Sequence, residues 1–369
     1  MIPDKIVEKD HPGSSAIAAI SHALSVVGAS VAKSTVFDHL INCYGGDDYC
    51  IKLPLPLVTL VQSGKALLGK SNCVKEYMIT PRPDMPTSEA ISTMAKIHES
   101  LLKAVYSKGG VSAKNLSDSG AICPVYDKPE QGLDAIADAV NSCGFEIGKD
   151  FFFVLNASAH ECFDYEKGKY EVITGKLKSP DDMTDFRADI TGRYPSIIGL
   201  IDPIRCEENL QWNKICSLIS SRCLVIAGKA YNRPGLLKDE ALDFHEFATS
   251  GVVMKADGAN TITHIVECSK KMSDLSNTII LADGLHTTNN TLLIDIAIAS
   301  QARFIKMGAT VRGERIVKYN RLVELDAELG ERRGQWSPLK FPAIPPKAPT
   351  PTPTPEKGLR TGDNTPTKE

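Results

Sequence analysis

From residue 151 onward the chain repeats a single beat: a short apolar run, a loop, and a stretch of helical length. The apolar runs are FFFVL (151–155), SIIGLI (196–201), CLVIA (223–227), GVVMK (251–255), TIILA (278–282) and RFIK (303–306). Between them lie segments such as NLQWNKICSLISS, DEALDFHEFATS, TITHIVECSKKM and NTLLIDIAIASQA, whose apolar residues recur at helical spacing. A strand that is apolar at every position is buried on both faces, so the beat predicts a parallel sheet covered by helices. Two earlier β-rich runs, LPLPLVTLV (53–61) and VKEYMIT (74–80), add to the six. Eight such strands close a barrel. An open doubly wound sheet competes, but no glycine-rich phosphate fingerprint follows any of the runs. The expected fold class is therefore α/β, a TIM-like βα barrel.

The flanks are different. Residues 14–31 (SSAIAAISHALSVVGASV) and Thr35–Tyr44 read as two helices, too small for a core of their own and expected to dock on the rest of the chain. Further helices are expected over Ser88–Ser107 and Glu130–Ser142. After Trp336 the chain turns into PLKFPAIPPKAPTPTPTPEKGLRTGDNTPTKE, with little to bury beyond Phe341. Such a segment reads as a disordered, polyproline-prone tail, solvated unless a reader of Pro-rich segments binds it.

A net charge of −3 gives no reason to expect a nucleic-acid partner. The ten cysteines are scattered, with no CxxC pair, which fits free thiols in a reducing cytoplasm. No apolar run is long enough to span a membrane, and MIPDKIVEKDHP has no signal-peptide character.

Chemistry in a βα barrel sits where the strands end. Phe304–Asn320, FIKMGATVRGERIVKYN, has a short strand ending in Lys306, a glycine-containing turn, and a helix carrying Glu314, Arg315 and Lys318. This stretch resembles the C-terminal strand–helix signature of the enolase (phosphopyruvate hydratase) family. GVVMKADGANT, ending its strand at Lys255, is similar to the family segment with the catalytic base. VKEYMITP matches a substrate-pocket glutamate at Glu76, with Lys75 before it. The resemblance covers roughly residues 14–335, is strongest in 251–330, and leans toward the divergent sperm-type branch. It implies an irregular start to the barrel. It also implies that residues 1–50 are a remnant of an N-terminal capping domain that is mostly missing, that 51–335 are the barrel domain, and that 336–369 are the tail.

The implied reaction is dehydration of 2-phosphoglycerate to phosphoenolpyruvate in glycolysis. A lysine base works there with Mg²⁺ ions that hold the developing enediolate charge. By resemblance Lys255 is the catalytic base, Lys306 is the second catalytic lysine and also helps bind the substrate carboxylate, and Glu76 binds substrate. Two lysines held together would depress each other's pKa. The magnesium carboxylates are another matter: their positions fall on Asn156, Ile201 and Ala227, with Gly228 next in the chain. Magnesium needs hard anionic oxygens, so its binding is expected to be weak or absent. Ser119 stands where the family has a glutamate that handles the leaving hydroxyl. Asp283, Gly284 and Leu285 replace a His-Arg-Ser run that grips phosphate, and Asp283 would repel that group. The glycine-rich histidine loop reads QSGKALLGK, with Lys65 and no histidine.

Weaker constellations remain. His286 behind Asp283 lacks a GxSxG partner and reads as a loop histidine. Lys75 and Glu76 read as an alternating strand pair. Asp202, Asp257 and Asp283 are a conceivable replacement cation site, with Asp202-Pro203 a turn. The expectation is an inactive or weakly active paralogue with a structural or assembly role, as a homodimer or with other enolase subunits. The alternative is a hydratase that keeps Lys255 and Lys306 and recruits new groups.

Overall fold

The structure, a computed structural model, describes residues 14–45, 49–109, 115–229, 249–256, 261–284, 287–339 and 341. Eight strands close into one barrel: β1 (Leu55–Gln62), β2 (Glu76–Pro81), β3 (Phe151–Asn156), β7 (Ile197–Ile201), β8 (Leu224–Ala227), β9 (Gly251–Lys255), β10 (Thr278–Ala282) and β11 (Phe304–Gly308). All eight expected runs are strands. Strand β2 runs antiparallel to both of its neighbours, β1 and β3. Every other pairing around the barrel is parallel.

Alternation along each strand divides the apolar residues between two cores. Leu57, Met78, Val154, Ile226, Val253 and Ile280 meet in the barrel interior. Their neighbours Tyr77, Leu155, Val225, Met254 and Leu281 pack outward against the helices. The covering helices are α3 (Thr87–Gly109), α4 (Glu130–Ser142), α5 (Pro180–Arg193), α6 (Asn209–Ile219), α7 (Ile262–Asp274), α8 (Leu292–Ala299) and α9 (Gly313–Leu329). Helix α5 starts with a capping box, in which Ser179 and Asp182 satisfy each other's backbone N–H. The helix expected over DEALDFHEFATS lies almost wholly outside the described residues, as do His286, Leu285, Asp257 and the tail beyond Phe341.

Three features differ from the sequence expectation. A small antiparallel sheet, β4 (Phe163–Asp164), β5 (Lys169–Ile173) and β6 (Lys176–Lys178), is inserted after β3. Strand β11 continues to Gly308, so Lys306 sits in mid-strand and not at the end. Residues 336–341 also behave differently from a solvated tail. Trp336, Leu339 and Phe341 pack onto the interior cluster at the N-terminal end of the barrel. Trp336 Nε1 donates to the Leu53 carbonyl at 2.7 Å, and Arg303 donates to the Ser337 carbonyl at 2.6 Å.

Helices α1 (Ser14–Val31) and α2 (Val36–Tyr44) lie against the outer helices. Phe37 and Leu40 of α2 enter the main core. Tyr44 Oη shares a hydrogen bond with Thr263 Oγ1 at 2.7 Å, and Ser21 Oγ accepts from Ile262 N.

Candidate functional site

The inward residues at the C-terminal end of the barrel form a ring in register. Glu76 pairs with Asn156, Asn156 with Ile201, Lys255 with Ala282, and Ala282 with Lys306. Above the ring is a cavity of about 480 Å³. Its wall includes Glu76, Asn156, Ile201, Lys255 and Lys306, and from the loops Ser119, His160, Asp202 and Asp283. The sequence-derived positions Lys255, Lys306 and Glu76 are thus brought together. Ala227 is not: it packs in the outer cluster, and the cavity wall after β8 is Gly228. Alternation accounts for this, because Leu224 and Ile226 already point inward.

The buried carboxylates in this wall all have partners within the protein. The Glu76 carboxylate lies 2.6 Å from Lys306 Nζ and accepts from Asn156 Nδ2 at 2.5 Å. Burial alone would raise the Glu76 pKa; the Lys306 ammonium and the Asn156 amide overcome it and hold the carboxyl below its usual range. Lys306 therefore faces an anion, where the sequence suggested a second lysine. The Asn156 carbonyl oxygen accepts from both the N–H and the hydroxyl of Ser158. Lys75 turns away from Glu76 to bond Glu161, with His160 Nε2 3.9 Å from the same carboxylate. Burial pushes the His160 pKa down.

Asp202 sits at a positive φ of 47° and is 7% exposed. Its carboxylate accepts from Gly228 N at 2.7 Å and Lys229 N at 2.9 Å. Burial raises its pKa despite these bonds. The absence of a side chain at Gly228 makes room for it, because a Cβ there would lie 2.8 Å from Asp202 Oδ2. Asp283 is held in the same manner: Lys318 Nζ lies at 2.9 Å, Arg315 at 3.3 Å, and the Thr287 hydroxyl donates to it. Both cations are almost fully buried, so Asp283 does not stand as a bare negative charge. Ser119 Oγ shares a hydrogen bond with Ser117 Oγ at 2.9 Å, and Lys65 is paired with Glu171 at 3.5 Å, outside the cavity wall.

Sequence reasoning missed His160, Glu161 and Lys229, and the pairing of Asp283 with Arg315 and Lys318. The string NASAHE after β3 offered a faint signal, a histidine and a glutamate in a βα loop. Among the described residues, no group of three or more His, Cys, Asp or Glu side chains is arranged to hold a metal ion. The conceivable trio of Asp202, Asp257 and Asp283 cannot be assembled from them, since Asp202 and Asp283 are already bonded and Asp257 lies outside.

Comparison with known proteins agrees with this geometry. The family model described as "Enolase, C-terminal TIM barrel domain" matches residues 50–338. Enolase 4 of Xenopus tropicalis is 31% identical over 348 residues, covering 93% of this chain and 60% of the relative. Human Enolase 4 is 30% identical over 346 residues, covering 89% of this chain and 55% of the relative. The enolase of Corynebacterium kroppenstedtii is 26% identical over 324 residues, covering 88% and 73%. The chain thus spans little more than half the length of the vertebrate relatives it matches. With the barrel, its antiparallel second strand and the match over residues 50–338 in hand, the chain belongs to the enolase family.

Proposed function

We propose that this chain is a non-catalytic or nearly inactive enolase-family paralogue with a structural or assembly role, alone as a homodimer or with other enolase subunits in the cytoplasm. One observation carries the reading: each buried carboxylate of the cavity wall is already spent inside the protein. Glu76 is bound to Lys306 and Asn156, Asp202 to two backbone amides, and Asp283 to Arg315 and Lys318. The family's magnesium does not fit these residues. Magnesium demands hard oxygens in near-octahedral array. The wall offers the Ile201 side chain, a glycine at 228, and an Asn156 carbonyl that already accepts two hydrogen bonds.

Without a Lewis acid, the carbanion formed next to a carboxylate must be held by lysines alone. Lewis-acid stabilisation is worth several kcal/mol in such a transition state, and each 1.36 kcal/mol is about tenfold in rate. A second reading rests on the shared cavity of Lys255, Lys306 and Glu76. On it, the chain is a phosphopyruvate hydratase with Lys255 as base, Lys306 and Glu76 on the substrate, and recruited groups replacing the metal. Calorimetric titration with Mg²⁺ and 2-phosphoglycerate, with an assay for phosphoenolpyruvate, separates the two. No heat and no product are expected. Product formation within about a hundredfold of an ordinary enolase, abolished in Lys255→Ala, would overturn the first reading.

A further inference from the structure

The opposite end of the barrel holds a second cavity of about 490 Å³, a size typical of small-molecule pockets. Its body is apolar and aromatic, made by Phe152, Ile198, Phe304, Trp336, Leu339 and Phe341. Three charged groups line it, and two of these satisfy each other: Arg82 donates to Asp84 at 2.7 Å. Arg303 is the third. Its guanidinium lies 5.3 Å from the Trp336 ring centroid and donates once, to the Ser337 carbonyl. Among the described residues it has no carboxylate within salt-bridge distance.

Among the described residues, three buried donors of this lining have no hydrogen-bond partner: Arg303 Nε, Thr80 Oγ1, on a residue only 1% exposed, and Arg82 Nε, which lies 3.7 Å from the Asp150 carboxylate. An unpartnered buried donor is costly, so native proteins leave few of them. A cation with no counter-ion among the described residues, set beside aromatic walls, describes the complement of one ligand type. We infer that this cavity binds a small amphipathic carboxylate, an aryl- or alkyl-carboxylic acid. Its anionic oxygens meet the Arg303 guanidinium, and its hydrocarbon body lies among Phe152, Phe304 and Phe341. A carboxylate supplies the counter-charge that Arg303 lacks, which a neutral apolar molecule does not. The site is independent of the cavity at the other end and needs no metal.

Trp336 provides the readout, since the chain has two tryptophans and the other, Trp212, is 1% exposed on α6. The full chain is titrated with sodium 3-phenylpropionate, followed by Trp fluorescence and calorimetry. Saturable binding with Kd below about 1 mM is expected, with 3-phenylpropanamide about tenfold weaker or worse. Arg303→Gln should lose the preference for acid over amide, and Arg303→Lys should keep it. Ile198→Trp, which fills the cavity from the opposite wall and leaves Arg303 in place, should abolish binding while circular dichroism stays native. No saturable binding by the wild type, equal affinity for acid and amide, or unchanged binding in Ile198→Trp would each overturn the assignment.

Discussion

The two ends of this barrel handle polar groups in opposite ways. At the C-terminal end nearly every buried charge has a partner inside the protein, and even Asp202 takes its hydrogen bonds from the backbone. At the N-terminal end an aromatic plug closes an apolar cavity beside Arg303, a cation that has no carboxylate within salt-bridge distance among the described residues. In a βα barrel the first end is where ligands are handled and the second is where stability is made. Here the first end carries the closed ion pairs expected of a stabilising layer. The second has the open valences expected of a binding site. Partner satisfaction is thus a better guide to what an end of a barrel can still do than its place in the fold.

The contrast can be broken most strongly at Asp283. Asp283→Ala strips the counter-ion from Arg315 and Lys318, both nearly fully buried, and should cost about 3–5 kcal/mol in urea unfolding. A cost under about 1 kcal/mol would mean that the two cations reach water and that this end is open after all. Trp336→Ala at the other end removes a half-buried ring and its bond to the Leu53 carbonyl, and about 2 kcal/mol should go with it. If Trp336→Ala leaves the thermal midpoint unchanged, residues 336–341 do not plug the barrel in solution.

A smaller and more diagnostic effect is pH dependence. Glu76 has a folded pKa below its unfolded value, so its contribution is present above about pH 4.5 and fades as pH falls through the folded pKa. Asp202 has the opposite sign: its raised pKa favours the protonated folded state, so its contribution is present below about pH 4 and is lost as pH rises through the raised value. Asp202→Asn should therefore reduce the loss of stability as pH rises above about 4, and Glu76→Gln should flatten the acid limb, both read from denaturant midpoints against pH. Identical pH profiles for wild type and both variants would dissolve the electrostatic account of the mouth. Smallest of all should be the response to Mg²⁺. Millimolar magnesium should move the thermal midpoint of the wild type by less than about 1 °C, because an ion that does not bind the native state cannot stabilise it. Ile201→Glu, introducing one carboxylate, should leave that result unchanged and should yield no measurable turnover of 2-phosphoglycerate.

How legible this was in sequence depended on range. The eight strands could be read because burial on both faces writes a local signature, a short run of mostly apolar residues. The sheet of β4–β6 escaped because its strands are two to five residues long and mostly polar, held by turns at Gly168 and Gly175 with positive φ. The ring of inward residues was half legible. Lys255, Lys306, Glu76, Asn156 and Ile201 fall into one wall, but Ala227 packs outward and Gly228 lines the cavity in its place, a difference that alternation in so short a strand does not announce. The pairings were not legible at all. Arg315 and Lys318 stood out as charges on a helix, yet nothing local says that they meet Asp283 some thirty residues earlier.

The tight fit between Asp202 and Gly228 also couples the two positions. A side chain added at 228 alone would put its Cβ 2.8 Å from Asp202 Oδ2 and 3.1 Å from Ile201 Cγ2, so the Asp202 carboxylate would have to shift. Removing Asp202 alone would strand the Gly228 and Lys229 amides that it now satisfies. The two positions thus share one carboxylate, and the effect of changing both is not the sum of the effects of changing each.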